Sequence, residues 1–181
     1  MTHFPKVYAD TVAKLRVPFG FLMVAAFIWF SKPTINSLWY GMPVALGGIL
    51  LRAWATGHLE KNLQLAVSGP YTFVRNPLYV GTLLAAAGFA AASRRWWLGV
   101  LFAAVFLLIY LPVIELEEEH LRELFPSYED YCERVPMLLP KWRKSRAKRR
   151  FRLSLYLQNE EYNALLGFLA GAGVLLWKAL R

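Results

Sequence analysis

The chain is poor in the residues that most enzymes use for covalent and metal chemistry. One cysteine, Cys132, stands among 181 residues, so no internal disulfide can form and no Cys-Cys spacing for a zinc site exists. Histidine occurs three times, at His3, His58 and His120, which is too few for a histidine-box metal site. There is no nucleotide P-loop, no G-x-G-x-x-G run after a strand and no serine in a nucleophile elbow. Charge is scarce as well: Asp, Glu, Lys and Arg make up 18% of the chain, against about 25% in soluble domains. Acidic residues are the rarer sign, 12 against 21 basic, for a net charge of +9.

Apolar and aromatic residues take their place. The chain is 57% hydrophobic and 15% aromatic, with seven Trp; Trp and Tyr collect at bilayer interfaces. The composition reads as an integral membrane protein. The expected fold class is all-α: a polytopic membrane helix bundle of about five transmembrane helices, a single membrane domain over 1–181, with no Rossmann domain. The spans are expected at 17–30, 38–56, 78–92, 96–114 and 163–180. Lys6, Lys14 and Arg16 before a short apolar run also fit a signal peptide. The run leads into Ser31-Lys32-Pro33 rather than a small-residue cleavage site, so a retained first span is expected.

Gly41, Pro43, Gly47 and Gly48 in the second span are small or kinking residues that let helices approach closely, and Gly167 and Gly171 repeat that spacing in the fifth. Arg52, near the end of the second span, has to snorkel or face the interior. Ser93-Arg94-Arg95 predicts a tight turn that makes spans three and four a hairpin. Pro112 should kink the fourth helix, which is expected to run on into water until Phe125-Pro126-Ser127. A short helix and an extended exit should follow over 128–140, then a basic linker at 141–152. Beside a membrane, such a run binds anionic lipid headgroups or sets topology; nucleic acid is not expected. With the N-terminus inside, most Lys and Arg lie in the head, the 57–77 loop and the 115–160 segment, as the positive-inside rule requires.

Two polar stretches then share the cytoplasmic face. The first is Gly69-Pro70-Tyr71-Thr72-Phe73-Val74-Arg75-Asn76-Pro77-Leu78-Tyr79-Val80-Gly81. Gly69-Pro70 is turn chemistry. Asn76-Pro77 places a proline in the first turn of the third span, where its missing donor does no harm. That helix end should offer backbone donors and partial positive charge, with Arg75 just before it and Tyr79 just after. A helix cap plus an interfacial anchor accounts for any one of these residues, but not for the series. The second stretch is Glu115-Leu116-Glu117-Glu118-Glu119. Its carboxylates repel one another unless something cationic is near, whether the basic residues of 141–152, solvent around an exposed face, or a cationic ligand.

These two motifs resemble the isoprenylcysteine carboxyl methyltransferase and phospholipid methyltransferase superfamily. The likeness is carried by Gly69-Pro70-Tyr71, Val74-Arg75-Asn76-Pro77-Leu78-Tyr79, Gly81 and Glu117-Glu118, then Leu121, Phe125, Tyr128, Tyr131 and Val135-Pro136, across 57–140. His58, Lys61 and Asn62 resemble the polar lead-in of bacterial members, and Asn159-Glu160-Glu161-Tyr162 the approach to their last span. The resemblance implies an integral membrane methyltransferase that uses S-adenosylmethionine, in a bacterial inner membrane, with its N-terminus and active site in the cytoplasm. By that resemblance Tyr71, Arg75, Asn76, Pro77, Tyr79, Glu117 and Glu118 bind the cofactor. Many members have His where this chain has Asn76, and Asn cannot titrate.

The expected reaction is in-line methyl transfer to a hydrophobic or amphiphilic acceptor: the carboxylate of a prenylated cysteine-like compound, or a lipid amine or hydroxyl. A carboxylate needs no base. An amine or hydroxyl does, and His58 and His120 are the candidates that titrate near neutral pH, although each also reads as a polar interface residue. Arg122 or Lys61 would hold an anionic acceptor. The candidate catalytic residues are therefore Arg122 and His58, and the candidate substrate residue is Lys61. The rival readings are a sterol-reductase-like membrane oxidoreductase, marked by NADPH binding, and a non-catalytic membrane scaffold.

Overall fold

The structure, a computed structural model, describes residues 4–141 and 149–181. Among the described residues the regular elements are helices. They are α1 (Lys6–Phe30), α2 (Ile35–Thr56), α3 (Pro77–Ser93), α4 (Trp96–Leu124), α5 (Tyr128–Arg134), α6 (Leu153–Gln158) and α7 (Tyr162–Leu180), with a 3-10 turn at Gly69–Thr72. By length and apolarity α1, α4 and α7 can cross a membrane, and α3 is apolar but shorter at 17 residues. The expected second span, α2, has 22 residues but carries Asn36, Ser37, Pro43 and Arg52. The short helix α6 had no counterpart in the expected elements. The basic linker falls partly outside the described residues, at 142–148.

The chain packs as two compact units, 1–43 with 86–120 and 170–181, and 44–85 with 121–169. In the first unit Val12, Met23, Val105, Ile109 and Val113 form a buried core, with Phe19, Phe27, Phe102 and Tyr110 against it. Helix α1 starts well before the apolar run that was expected to define it. Polarity changes at Val17, but the helix does not, because Val12 already belongs to that core. The other side of α1 stays apolar and open, with Phe21, Leu22, Val24 and Trp29 exposed, as a lipid-facing surface would be.

Ahead of Pro112, where a kink was expected, the helix changes its hydrogen-bond pattern. The five residues before Leu111, Phe106–Tyr110, form a π turn, and the helix resumes at Leu111. Pro112 has no N–H to give the Leu108 carbonyl one turn back. The Tyr8 hydroxyl donates to that carbonyl instead, at 2.7 Å. At the other end of α1, Lys178 Nζ donates to the Ile28 carbonyl at 2.7 Å and the Trp29 carbonyl at 3.3 Å, a cation on a helix C-terminus. The α3–α4 connection is the expected tight turn. Arg94 adopts φ 54°, and the Arg95 amide donates to Ser93 Oγ.

In the second unit α2 and α3 run antiparallel with their backbones in contact. A Cβ on Gly48 would lie 2.4 Å from the Gly81 carbonyl oxygen and 2.5 Å from the Ala85 nitrogen, so no larger residue fits. A Cβ on Gly47 next to it would have nothing within 4 Å among the described residues. The small-residue spacing in α7 also divides. A Cβ on Gly171, in the first unit, would meet the Phe89 ring at 3.0 Å, whereas one on Gly167 would meet nothing within 4 Å among the described residues, so the expected two-glycine packing face is reduced to one. Arg52 faces the interior, where Glu161 pairs with it: Nε to Oε1 is 2.6 Å and Nη2 to Oε2 is 3.0 Å. Asn159 Nδ2 donates to the carbonyls of Thr56 and Leu59 at the end of α2.

The two neighbouring glycines generate a prediction. Gly48→Leu should destabilise the protein by about 1–3 kcal/mol, the usual cost of overpacking, whereas Gly47→Leu should melt as the wild type does. Thermal unfolding of both variants in detergent checks this; equal midpoints would remove the close α2–α3 contact.

Candidate functional site

The stretch 69–81 is built from the backbone outward. Gly69 has φ +59°, and a Cβ there would meet the His58 ring at 2.8 Å, so both backbone and space require glycine. Pro70 then opens the 3-10 turn. Next, the chain lies along the segment after α5. The Arg75 amide donates to the Pro136 carbonyl at 2.9 Å, the Asn76 amide to Met137 at 3.2 Å, and the Lys141 amide to Phe73 at 2.9 Å. Side chains reinforce this strap. Arg75 Nη1 donates to the carbonyls of Cys132 and Val135, both at 3.1 Å, and so caps the C-terminal end of α5. The Tyr131 hydroxyl donates to the Tyr71 carbonyl at 2.7 Å. Beneath lie Tyr128, Tyr131 and Val135, with Leu65, Leu121, Phe125 and Cys132 packed on them.

The sequence-predicted cofactor residues of this stretch therefore form one rigid corner. Tyr71 and Pro77 are buried, and Arg75, Asn76 and Tyr79 are half-buried. Pro77 opens α3 as expected. One expectation changes: the end of α3 was to offer unused backbone donors. Pro77 has none, the Tyr79 and Val80 amides go to the Asn76 carbonyl, and those of Arg75 and Asn76 go to Pro136 and Met137. The chain itself takes most of the donors that an anion would have used. Asn76 Nδ2 is also turned to the Met137 carbonyl, at 3.4 Å.

Glu117 and Glu118 lie in the other unit and are described by themselves. They are not an equivalent pair, because consecutive helical residues point about 100° apart. Glu118 is 3% exposed. The Glu117 side chain is 48% exposed and forms an ion pair with Arg16 at 3.2 Å. Burying a carboxylate is expensive, so Glu118 is the member with a specific environment.

The remaining candidates are dispersed. His58 is buried between Trp54 and Phe151. Its Nδ1 lies 2.9 Å from the Trp54 carbonyl. A carbonyl only accepts, so Nδ1 carries a hydrogen toward it. His120 is exposed. Arg122 pairs with Glu129 at 2.9 Å, and its guanidinium sits 5.8 Å from the Tyr128 ring centre. Lys61 is exposed and lines an open cleft of about 550 Å³ with Leu63, Gln158, Glu160 and the ion pair of Glu60 and Arg152. The Ser68 hydroxyl is buried without a hydrogen-bond partner among the described residues. Among the described residues no three His, Cys, Asp or Glu side chains gather as a metal site.

Sequence reasoning missed Glu161 as the partner of Arg52, and the strap that Tyr131 and residues 136–141 lay across the corner. Arg52 did carry a signal, since a cation inside an apolar run needs a partner; nothing in the spacing pointed to a residue 109 positions away.

The pattern of the phospholipid methyltransferase family matches residues 15–127. Over 141 residues the chain is 29% identical to the nickel-cobalt-cadmium resistance protein of Alcaligenes xylosoxydans xylosoxydans, covering 77% of this chain and 60% of that one. It is 43% identical over 76 residues to methanethiol S-methyltransferase 1 of Bradyrhizobium diazoefficiens, covering 41% and 25%. It is 27% identical over 141 residues to protein-S-isoprenylcysteine O-methyltransferase of Schizosaccharomyces pombe, covering 75% and 59%. The chain thus spans less than two thirds of the length of these relatives. No solved structure matches it. The family match takes in more than half of the chain, including both the corner at 69–81 and the glutamates of α4, and the chain belongs to the phospholipid methyltransferase family.

Proposed function

We propose that the protein is an integral membrane methyltransferase that takes its methyl group from S-adenosylmethionine and passes it to a hydrophobic, membrane-borne acceptor. The observation that carries this reading is the Arg75-Asn76-Pro77 corner. Main-chain bonds to Pro136 and Met137 and side-chain bonds from Arg75 and Tyr131 over-determine it, and it lies inside the family-matched segment. A binding constellation has to be held by such a supporting shell.

The chemistry of the available side chains fits the cofactor. A carboxylate suits its ammonium or ribose hydroxyls, tyrosine rings suit adenine or the sulfonium, and a guanidinium suits its carboxylate. In this reading Tyr71, Arg75, Asn76, Pro77 and Tyr79 are donor-binding residues of the corner; of the two glutamates, the buried Glu118 is the candidate, and Glu117 is half-exposed and paired with Arg16. The cofactor supplies an electrophilic methyl group on a positive sulfur. A carboxylate against that sulfur would stabilise the ground state more than the transition state, because the positive charge disperses as the methyl leaves. Glu118 is therefore assigned to grip.

Asn76 cannot act as a base. A carboxylate acceptor needs none, since charge is annihilated as the bond forms and a dry site favours that. For an amine or hydroxyl, Nε2 of His58 is the nitrogen that could take a proton. Lys61 or Arg122 would hold an anionic acceptor. The relatives named for isoprenylcysteine and for methanethiol support a nucleophile carried by a small or lipid-like molecule. We further propose the bacterial inner membrane, with the N-terminus and the corner cytoplasmic and basic residues at 141–152 against anionic lipid.

Calorimetry of S-adenosylhomocysteine with detergent-purified protein should show saturable binding at one site per chain. No binding, or NADPH binding in its place, overturns the reading in favour of a reductase. Glu118→Gln should weaken that binding about tenfold or more, the value of a charged hydrogen bond, and Glu117→Gln should leave it near wild type. Equal losses would mean that burial does not distinguish the two. Methyl transfer from labelled S-adenosylmethionine into a membrane lipid extract should yield a labelled, extractable product; its absence alongside intact binding points to a scaffold.

A further inference from the structure

The ion pair of Arg52 and Glu161 has no part in the reading above, yet it reaches the candidate site. All three guanidinium nitrogens of Arg52 are engaged. Nε and Nη2 form a bidentate pair with the two carboxylate oxygens of Glu161, at 2.6 and 3.0 Å. Nη1 turns the other way, to Thr82 Oγ1 at 2.7 Å and the Leu78 carbonyl at 3.3 Å. The Thr82 hydroxyl donates to that same carbonyl at 3.0 Å. Leu78 directly follows Pro77, so these bonds fall on the first two turns of α3, next to the Arg75-Asn76-Pro77 corner. The stem of Arg52 lies on Gly81, where a Cβ would meet its Cγ at 2.5 Å. Glu161 is 7% exposed and immediately precedes α7, where the helix end favours a carboxylate. It also lies beyond residue 127, outside the family-matched segment.

A guanidinium with every nitrogen occupied is poorly suited to seize a ligand, but its planar fork can bind two elements at once. We propose that Arg52 and Glu161 are positioning residues for the methyl-donor site: they tie the start of α7 to the first two turns of α3 and thereby hold the corner in its binding geometry. This inference rests on the cofactor reading given above. Glu161 orients the guanidinium, and Nη1 fixes Leu78 and Thr82. The part of the chain after the family core thus sets how well that core grips its cofactor.

Stability and positioning can be separated. Replacing a buried ion pair by apolar residues is often neutral or stabilising, whereas removing one partner is costly. The double variant Arg52→Met/Glu161→Met should therefore fold with a melting midpoint near wild type while losing the hold on Leu78 and Thr82. Two milder variants, Arg52→Lys and Thr82→Val, test the same link if the double variant does not fold. The experiment measures S-adenosylhomocysteine affinity by calorimetry and amide hydrogen exchange over residues 75–82, both in detergent.

The proposal expects about tenfold weaker binding and faster exchange at 75–82 in the double variant and in Arg52→Lys, a smaller loss in Thr82→Val, and an unchanged midpoint in the variants that fold. Wild-type affinity together with wild-type exchange in folded variants overturns it. A fall in midpoint that fully accounts for the lost binding, with exchange raised throughout the protein, also overturns it by reducing the pair to a structural role. A wild-type protein that binds no S-adenosylhomocysteine sinks the cofactor reading instead, and the exchange data then decide whether the pair holds the corner.

Discussion

An irregular segment that is buried or half-buried has to satisfy its own backbone groups, because an unpaired buried amide or carbonyl costs about as much as a lost hydrogen bond. Residues 73–76 meet that demand with the carbonyls of Pro136 and Met137 and the amide of Lys141. Much else in the second unit depends on this arrangement. Arg75 can cap α5 only because the strap brings it to Cys132 and Val135. The same pairing carries Tyr131 to the Tyr71 carbonyl, and it leaves Pro77 free to open α3 at no cost in donors. The corner is stiff because its polar groups have been spent on one another. A ligand there meets side chains and ring faces more than exposed amides.

Much of this was legible in the sequence, for local reasons. Pro77 at the first turn of α3, the turn at Ser93-Arg94-Arg95, the disturbance ahead of Pro112 and the stop after Leu124 all follow from residues acting on their immediate neighbours. Gly69 was legible only as turn chemistry; its positive φ and the His58 ring against it came with the fold. The two motifs could be found because their residue types are costly beside membrane spans and appear in series.

What was not legible is long-range or angular. Nothing in the spacing of 69–81 reveals that its amides are consumed by 136 and 137, since that pairing is made by folding. Gly47 and Gly48 look alike in sequence, and only the path of α3 makes one indispensable and the other idle. Helix α1 is longer than its apolar run because Val12 belongs to the buried core and the helix extends to include it. Short α6 is too brief for periodicity to announce it.

The π turn at Phe106–Tyr110 has a consequence further down α4. A π turn inserts one residue into an α-helical ladder and so sets every later side chain back by one angular step. Glu118 occupies the direction that Glu117 would hold in an uninterrupted helix. Which of two adjacent, chemically identical carboxylates is sheltered and which meets Arg16 is thus a matter of phase. That phase is set two turns upstream, beside a proline, with a tyrosine from α1 answering the carbonyl left over.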